Sequence, residues 1–220
     1  MIYPDEIIRS NRKTLSICID PFGRLIVRAP KRCADERIFA FIREKERWIL
    51  RKKAEKQGAG IQLPGESLHG YALPLLGEKY TIFLADETRI TLDTEEKRLC
   101  LPRRNAEKRL VQWCKANAKR ILAQTSEKYA QMMGVRYQKI TVTSARSRWG
   151  CCTRDNKLRF SYRLIFTPKE IIEYVTVHEL AHILQKNHSP AFWTVVESQI
   201  PDWKQKRKWL QINSALMELF

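Results

Sequence analysis

The stretch Val177–His188, "VHELAHILQKNH", contains three of the four histidines in the 220-residue chain, with only His69 elsewhere. The residues just before it carry a helix-start signal. Thr167 suits an N-cap, Pro168 suits the first helical position, and Glu170 stands three residues after the cap, together forming a capping-box pattern. A helix is therefore expected over residues 168–186. Ile171, Val175, His178 and His182 follow steps of four, three and four, which predicts one inward stripe carrying both histidines.

Residues four apart on a helix have Cβ atoms about 5–6 Å apart, so the imidazoles of His178 and His182 can converge on one point. Zinc accepts imidazole nitrogen and lowers the pKa of a coordinated water to roughly 7. Glu179 projects about 100° around the helix from His178, within reach of such a metal-bound water as general base. Catalytic zinc sites usually have three protein ligands, and His188 is the nearest candidate. A continuous helix would turn His188 by roughly 240° net from His182. The helix must therefore end first, and Asn187 is the expected place because Asn tolerates the left-handed conformation. The spacing from His178 to His188 equals that of the long metzincin signature, but Gln185 stands where that signature has glycine. Glu197, on the following helix, is the rival third ligand and ranks behind His188. Pairs of helical histidines also occur as ordinary surface or hydrogen-bonded core residues. The helix-start signal, the stripe and the third histidine favour the metal reading, with one zinc ion expected.

The composition is that of a folding chain, with 44% hydrophobic residues, six Trp, seven Tyr and eight Phe. No apolar run approaches the roughly 20 residues that span a bilayer, and the start lacks the order of a signal peptide. The expectation is a cytoplasmic protein without a membrane partner. The six cysteines show no C-x-x-C spacing and read as free thiols. A formal charge of +17 favours polyanions, so nucleic acid is a candidate partner. The basic runs with interspersed aromatics, "KRCADERIFAFIREKERW", "RRNAEKRLVQWCKANAKR" and "WKQKRKWL", are read first as amphipathic helices with buried aromatic faces.

Working outward, residues 14–29 read as two strands about "DPFG", and residues 33–56 as one basic amphipathic helix. "GAG" and "LPGE" near 58–66 mark a loop, and short strands follow up to residue 102. A long helix runs from Asn105 to about Met133, with Gly134 as its stop. Two strands then flank the turn "RDNK", and after the histidine helix two more helices are separated at Pro201. The expected class is α+β: a β-rich region with one inserted helix over 1–104, then over 105–220 a helix/strand region carrying H-E-x-x-H on a helix.

"SRWGCCT", "LRFSYRLIFTPKEIIEYVTVHELAHILQKNHSPAFW" and "IPDWKQKRKWL" together resemble the YgjP-like metallopeptidase domain family, small zincins related to the SprT-like metalloproteases. "SICIDPFGRLIVRAP" and the Trp-bearing basic helix also look like that family's amino-terminal part. The resemblance thus spans most of the chain and allows one integrated domain with a zincin-like catalytic part. It implies zinc ligands at His178, His182 and His188, Glu179 as catalytic base, and a protein or peptide substrate. The family commonly writes R-W-G-S-C-S where this chain has Arg148, Trp149, Gly150, Cys151, Cys152 and Thr153. Arg148 and Trp149, on the strand ahead of the metal helix, are candidates for substrate binding; their alternative is packing of strand on helix. Phe192 and Trp193 read as core residues that hold the loop, and His69 as a loop residue without metal. Two rival functions remain at this level: a nucleotide pyrophosphatase, which lacks a Gly-rich phosphate loop, and a nucleic-acid-binding protein with a structural zinc.

Overall fold

The computed structural model describes residues 2–57 and 60–220, so the expected "GAG" loop falls partly outside the described residues. The chain divides into two compact units. One is built from the chain up to Gln62 with Gln211–Ala215, the other from Leu63–Leu210 with Leu216–Phe220.

In the first unit, strands β1 (Glu6–Ser10), β2 (Ser16–Ile19) and β3 (Leu25–Pro30) form a sheet of order β1-β3-β2. Strand β3 lies between the other two, and its Leu25, Ile26 and Val27 are all buried. The "DPFG" turn forms as read: Asp20 Oδ1 accepts the main-chain N–H groups of Phe22 and Arg24, and Gly23 takes φ 83°. The single basic helix expected here is two, α1 (Asp35–Glu44) and α2 (Glu46–Gln57), broken at Lys45. The Lys45 N–H is shared between the carbonyls of Phe41 and Ile42. Ile38, Ile42 and Ile49 join Leu25, Val27 and Ala29 in one core, so apolar periodicity continues across the break and conceals it.

The second unit begins with β4 (Ala72–Leu75), β5 (Glu78–Ala85), β6 (Thr91–Asp93) and β7 (Arg98–Pro102), in the order β4-β5-β7-β6. Leu76 and Gly77 form the two-residue turn between β4 and β5 at φ 53° and 95°, the paired positive angles that a tight hairpin requires. Helix α3 (Ala106–Met133) stops at Gly134 in the left-handed conformation, as its sequence indicates. Strands β8 (Ile140–Thr143), β9 (Gly150–Cys152) and β10 (Leu158–Ser161) form a second sheet with β10 in the middle. Asn156, at φ 56°, closes the β9–β10 hairpin. A 3-10 turn (Tyr162–Phe166) leads to α4 (Lys169–Leu184), α5 (Pro190–Gln199) and α6 (Trp203–Ile212). The result is a mixed α and β protein. The four-stranded sheet, grouped by the sequence with the amino-terminal region, belongs to the same compact unit as the histidine helix.

Three local expectations for α4 are corrected. Its capping box does not form, because the Thr167 hydroxyl bonds the Leu164 and Pro168 carbonyls and so closes the preceding 3-10 turn. The helix also ends at Leu184, two residues early, with Gln185 extended (φ −132°, ψ 106°). The inward stripe is not distinct either. Ile171, Ile172, Tyr174, Val175, Thr176, Val177, Leu180 and Ala181 are all buried, so α4 is covered almost all round while His178 and His182 reach a partly open face.

Arg163, in the 3-10 turn before α4, is 2% exposed. Its Nε donates to the Leu219 carbonyl at 2.7 Å and its Nη1 to that of Ser144 at 3.0 Å, while Nη2 donates to the Phe220 oxygen. Replacing Arg163 by Met takes the donor from the buried Leu219 carbonyl and removes the bonds to Ser144 and Phe220, and is expected to lower unfolding free energy by about 3 kcal/mol. Urea denaturation checks this; an unchanged midpoint contradicts it.

Candidate metal centre

Helix α4 packs against α3, α5 and β9, and this layering sets the site. His178 and His182 lie one turn apart with ring centroids 5.1 Å apart. After Gln185 the chain turns back. Asn187 does not take the expected left-handed conformation; its Oδ1 accepts the Ser189 N–H at 3.2 Å, and Pro190 opens α5. This turn brings His188 to the pair, its ring 5.1 Å from that of His178 and 4.8 Å from that of His182. One ligand nitrogen from each of the three lies within 4.8 Å of the others. Glu197, the rival, is exposed and outside this group.

The donor set fits a metal. Two nitrogens on one tetrahedral zinc at 2.0–2.1 Å stand about 3.3 Å apart, and His178 Nε2 lies 3.1 Å from His188 Nε2. His182 Nδ1 is 3.1 Å from the Gln185 carbonyl, which can only accept, so that nitrogen carries the proton and Nε2 keeps its lone pair. Burial, helped by the neighbouring histidines, pushes the pKa of His178 down to about 3, and burial also lowers that of His182. Both rings are therefore neutral near pH 7 and able to donate. His178 Nδ1 is buried without a hydrogen-bond partner. Packing orients its ring instead, through Phe192 at 4.9 Å, Trp193 at 5.8 Å and Tyr174 at 6.0 Å. His188 stacks on Trp193 at 5.7 Å, and Trp193 stacks on Trp203 at 4.0 Å.

Glu179 is 6% exposed, more buried than either helical histidine. Burial pushes its pKa up to about 8, against the opposing pull of the Cys152 main-chain amide and the Arg148 guanidinium. Gly150 of β9 makes room for it: a Cβ there would lie 2.6 Å from Glu179 Oε1 and 2.7 Å from Cγ. Arg148 is exposed, and Trp149 lines a cleft beside Glu179. His69 lies outside the group, accepting the Leu84 N–H through Nδ1. All six cysteines are free. Gly150 and the Trp203 stack were missed in the sequence. A glycine inside a strand is the usual sign of such a close approach and was the available signal for the first.

A buried carboxyl beside three converging imidazoles suits a metal-dependent hydrolase. The model of the YgjP-like metallopeptidase domain matches residues 13–213, and the chain belongs to that family. The family implies a metal and a peptide substrate, and the three histidines can hold a metal. Two solved structures are similar to part of the chain. The metallopeptidase zymogen of Pyrococcus abyssi abylysin is 18% identical over 41% of this chain and 92% of its own, with a TM-score of 0.38. That of Methanocaldococcus jannaschii jannalysin is 16% identical over 43% of this chain and 96% of its own, also at 0.38. No curated protein matches the chain in sequence. Among the described residues no helix is long and apolar enough to cross a membrane.

Two outcomes are expected. Gly150→Ala forces its new methyl into Glu179 and should cost about 1–3 kcal/mol of stability; an unchanged unfolding midpoint contradicts the close approach. The second concerns protonation of metal-free protein. With a Glu179 pKa of about 8 in the fold against 4.5 ordinarily, the folded state binds the extra proton between those values. Stability therefore falls as pH rises through that window. Glu179→Gln removes this loss, so it should raise the urea midpoint of chelator-treated protein more at pH 8.5 than at pH 5. An equal change at both pH values contradicts the shifted carboxyl.

Proposed function

We propose that this chain is a zinc-dependent peptidase in which His178, His182 and His188 hold one zinc ion and Glu179 is the general base. The observation that carries the reading is the meeting of three imidazoles beside a buried carboxyl, all within one compact unit. A zinc ion held there supplies Lewis-acid polarisation of the scissile carbonyl and activation of water near neutral pH. Glu179 takes the proton from the attacking water and returns it to the leaving amine. Its raised pKa in the metal-free protein suits the second transfer, since a carboxyl that holds its proton near neutrality is an effective acid. A nearby cation would lower that value again and free the carboxylate for the first transfer. The Gln185 carbonyl fixes the tautomer of His182, and the Trp193–Trp203 stack steadies His188. In this reading Arg148, close enough to act on the Glu179 carboxyl, binds substrate main chain or carboxylate. Trp149 lines the cleft alongside.

Three variants test this. Glu179→Gln is expected to keep zinc while lowering kcat on a cleaved peptide by about 10²–10⁴-fold. His188→Ala is expected to weaken zinc binding by more than the roughly 10–100-fold that loss of an outer partner costs. Glu197→Ala is expected to change neither. Chelator competition for zinc and peptide cleavage are the measurements. Full turnover by Glu179→Gln, or unaltered zinc affinity in His188→Ala, would falsify the assignment.

A further inference from the structure

Three exposed cations stand around the histidines, each from a different element of one compact unit. Arg148 precedes β9, Lys186 lies in the turn after α4, and Arg207 is on α6. Lys186 reaches the β9–β10 hairpin, its Nζ donating to Asn156 Oδ1 at 2.7 Å. The Arg207 guanidinium lies over the Trp193 ring at 5.3 Å, and the same ring faces His178 and His188. Each of the three acts on one group of the site: Arg207 on His178, Arg148 on Glu179 and Lys186 on His182. Among the described residues none of the three is in an ion pair. Asp155, a carboxylate that acts on nearby Cys152, is already tied to Lys157 and to the Thr153 hydroxyl.

Resting on the peptidase reading, we propose that Arg148, Lys186 and Arg207 select the substrate, and that the site takes peptides with acidic side chains on both sides of the scissile bond. Imidazole ligands bring no negative charge to offset a divalent ion, so the opening is positive before a substrate arrives. Glu179 is the one carboxylate there, and it is committed to the water and the leaving amine. A lysine or arginine side chain beside the bond would meet like charge with no acid to receive it. Arg148 acts from the Glu179 end of the histidine segment and Lys186 from the His182 end, so a chain crossing the centre passes one on each side. Arg207 adds a third contact, because a guanidinium stacked on an aromatic face keeps its fork of donors free for a carboxylate. Exposed ion pairs are weak singly, but three around one opening act together on an acidic chain, which the +17 charge of the protein draws in.

Two measurements on the zinc-loaded full chain test the proposal. The first is binding without turnover, by fluorescence anisotropy on the Glu179→Gln protein, of labelled peptides that differ only in carrying Glu, Gln or Lys on both sides of a central bond. The Glu peptide is expected to bind at least about 10-fold tighter than the Lys peptide at low salt, and to lose that advantage in about 1 M salt. Adding Arg148→Gln, Lys186→Gln or Arg207→Gln should each weaken the Glu peptide by about 3–5-fold without weakening the Lys peptide. Arg104→Gln, at the exposed junction of β7 and α3, should change neither. The second is cleavage of a randomised peptide mixture, in which Asp and Glu should be enriched on both sides of the cut. Arg148→Glu and Lys186→Glu should each abolish the enrichment on a different side. Peptides bound and cut without regard to charge, or an equal loss with Arg104→Gln, would overturn the selection and leave the zinc peptidase standing. Affinity that vanishes when the peptide's terminal carboxyl is amidated would assign the cations to a chain end. Tighter binding of a single-stranded oligonucleotide, lost in the same three variants, would assign them to phosphate; either result overturns the proposal. If the wild-type protein cuts no peptide, the peptidase reading fails and the selection falls with it. Should a variant not fold, the order of the three peptides on the otherwise unaltered chain decides.

Discussion

Helix α4 must be buried on nearly every side and still present His178, Glu179 and His182 to one opening. Most of the second unit meets that constraint. Most apolar residues of the helix are covered by α3, α5 and β9, while His178 and His182 keep a partly open face for a ligand. A glycine at position 150 lets the β9 backbone close over the carboxyl of Glu179, where any side chain would collide with it. Burial of that carboxyl is thus a consequence of how the strand meets the helix. Its raised pKa follows from the same contact.

The centre is held largely by rings. A metal-binding histidine ordinarily donates its second nitrogen to a carbonyl or carboxylate, which fixes its orientation. His182 follows that rule through Gln185, whereas His178 has no such partner and lies among Tyr174, Phe192 and Trp193. His188 comes from a turn and leans on a column of two tryptophans that reaches α6. Packing of this kind couples the centre to α5 and α6, so the helices after the histidines help build it and do more than cover it.

Much of this was legible in the sequence because the signals were local. Gly134, the "DPFG" and "RDNK" turns, and the four-residue spacing of His178 and His182 each act through their own backbone. The scarcity of histidine pointed to His188, and the chain does return there. What stayed hidden depends on distant neighbours or on competing bonds. The break at Lys45 leaves apolar periodicity intact. Thr167 had two possible uses for one hydroxyl, and the 3-10 turn claimed it. Helix α4 ends two residues early, with Gln185 already extended and its carbonyl beside His182 Nδ1, a contact between side chain and backbone that the choice of Asn187 as helix stop does not anticipate. Strand β1 and the allegiance of the four-stranded sheet to the second unit are tertiary facts that no short window records.

The central claim is that three imidazoles of this chain share one zinc ion. X-ray absorption at the zinc edge, on protein loaded with one equivalent of metal, tests it most directly. The expected spectrum shows three imidazole nitrogens at about 2.0–2.1 Å and one further light ligand, without sulfur. A coordination shell with only two imidazoles, or one containing cysteine sulfur at about 2.3 Å, would contradict the account.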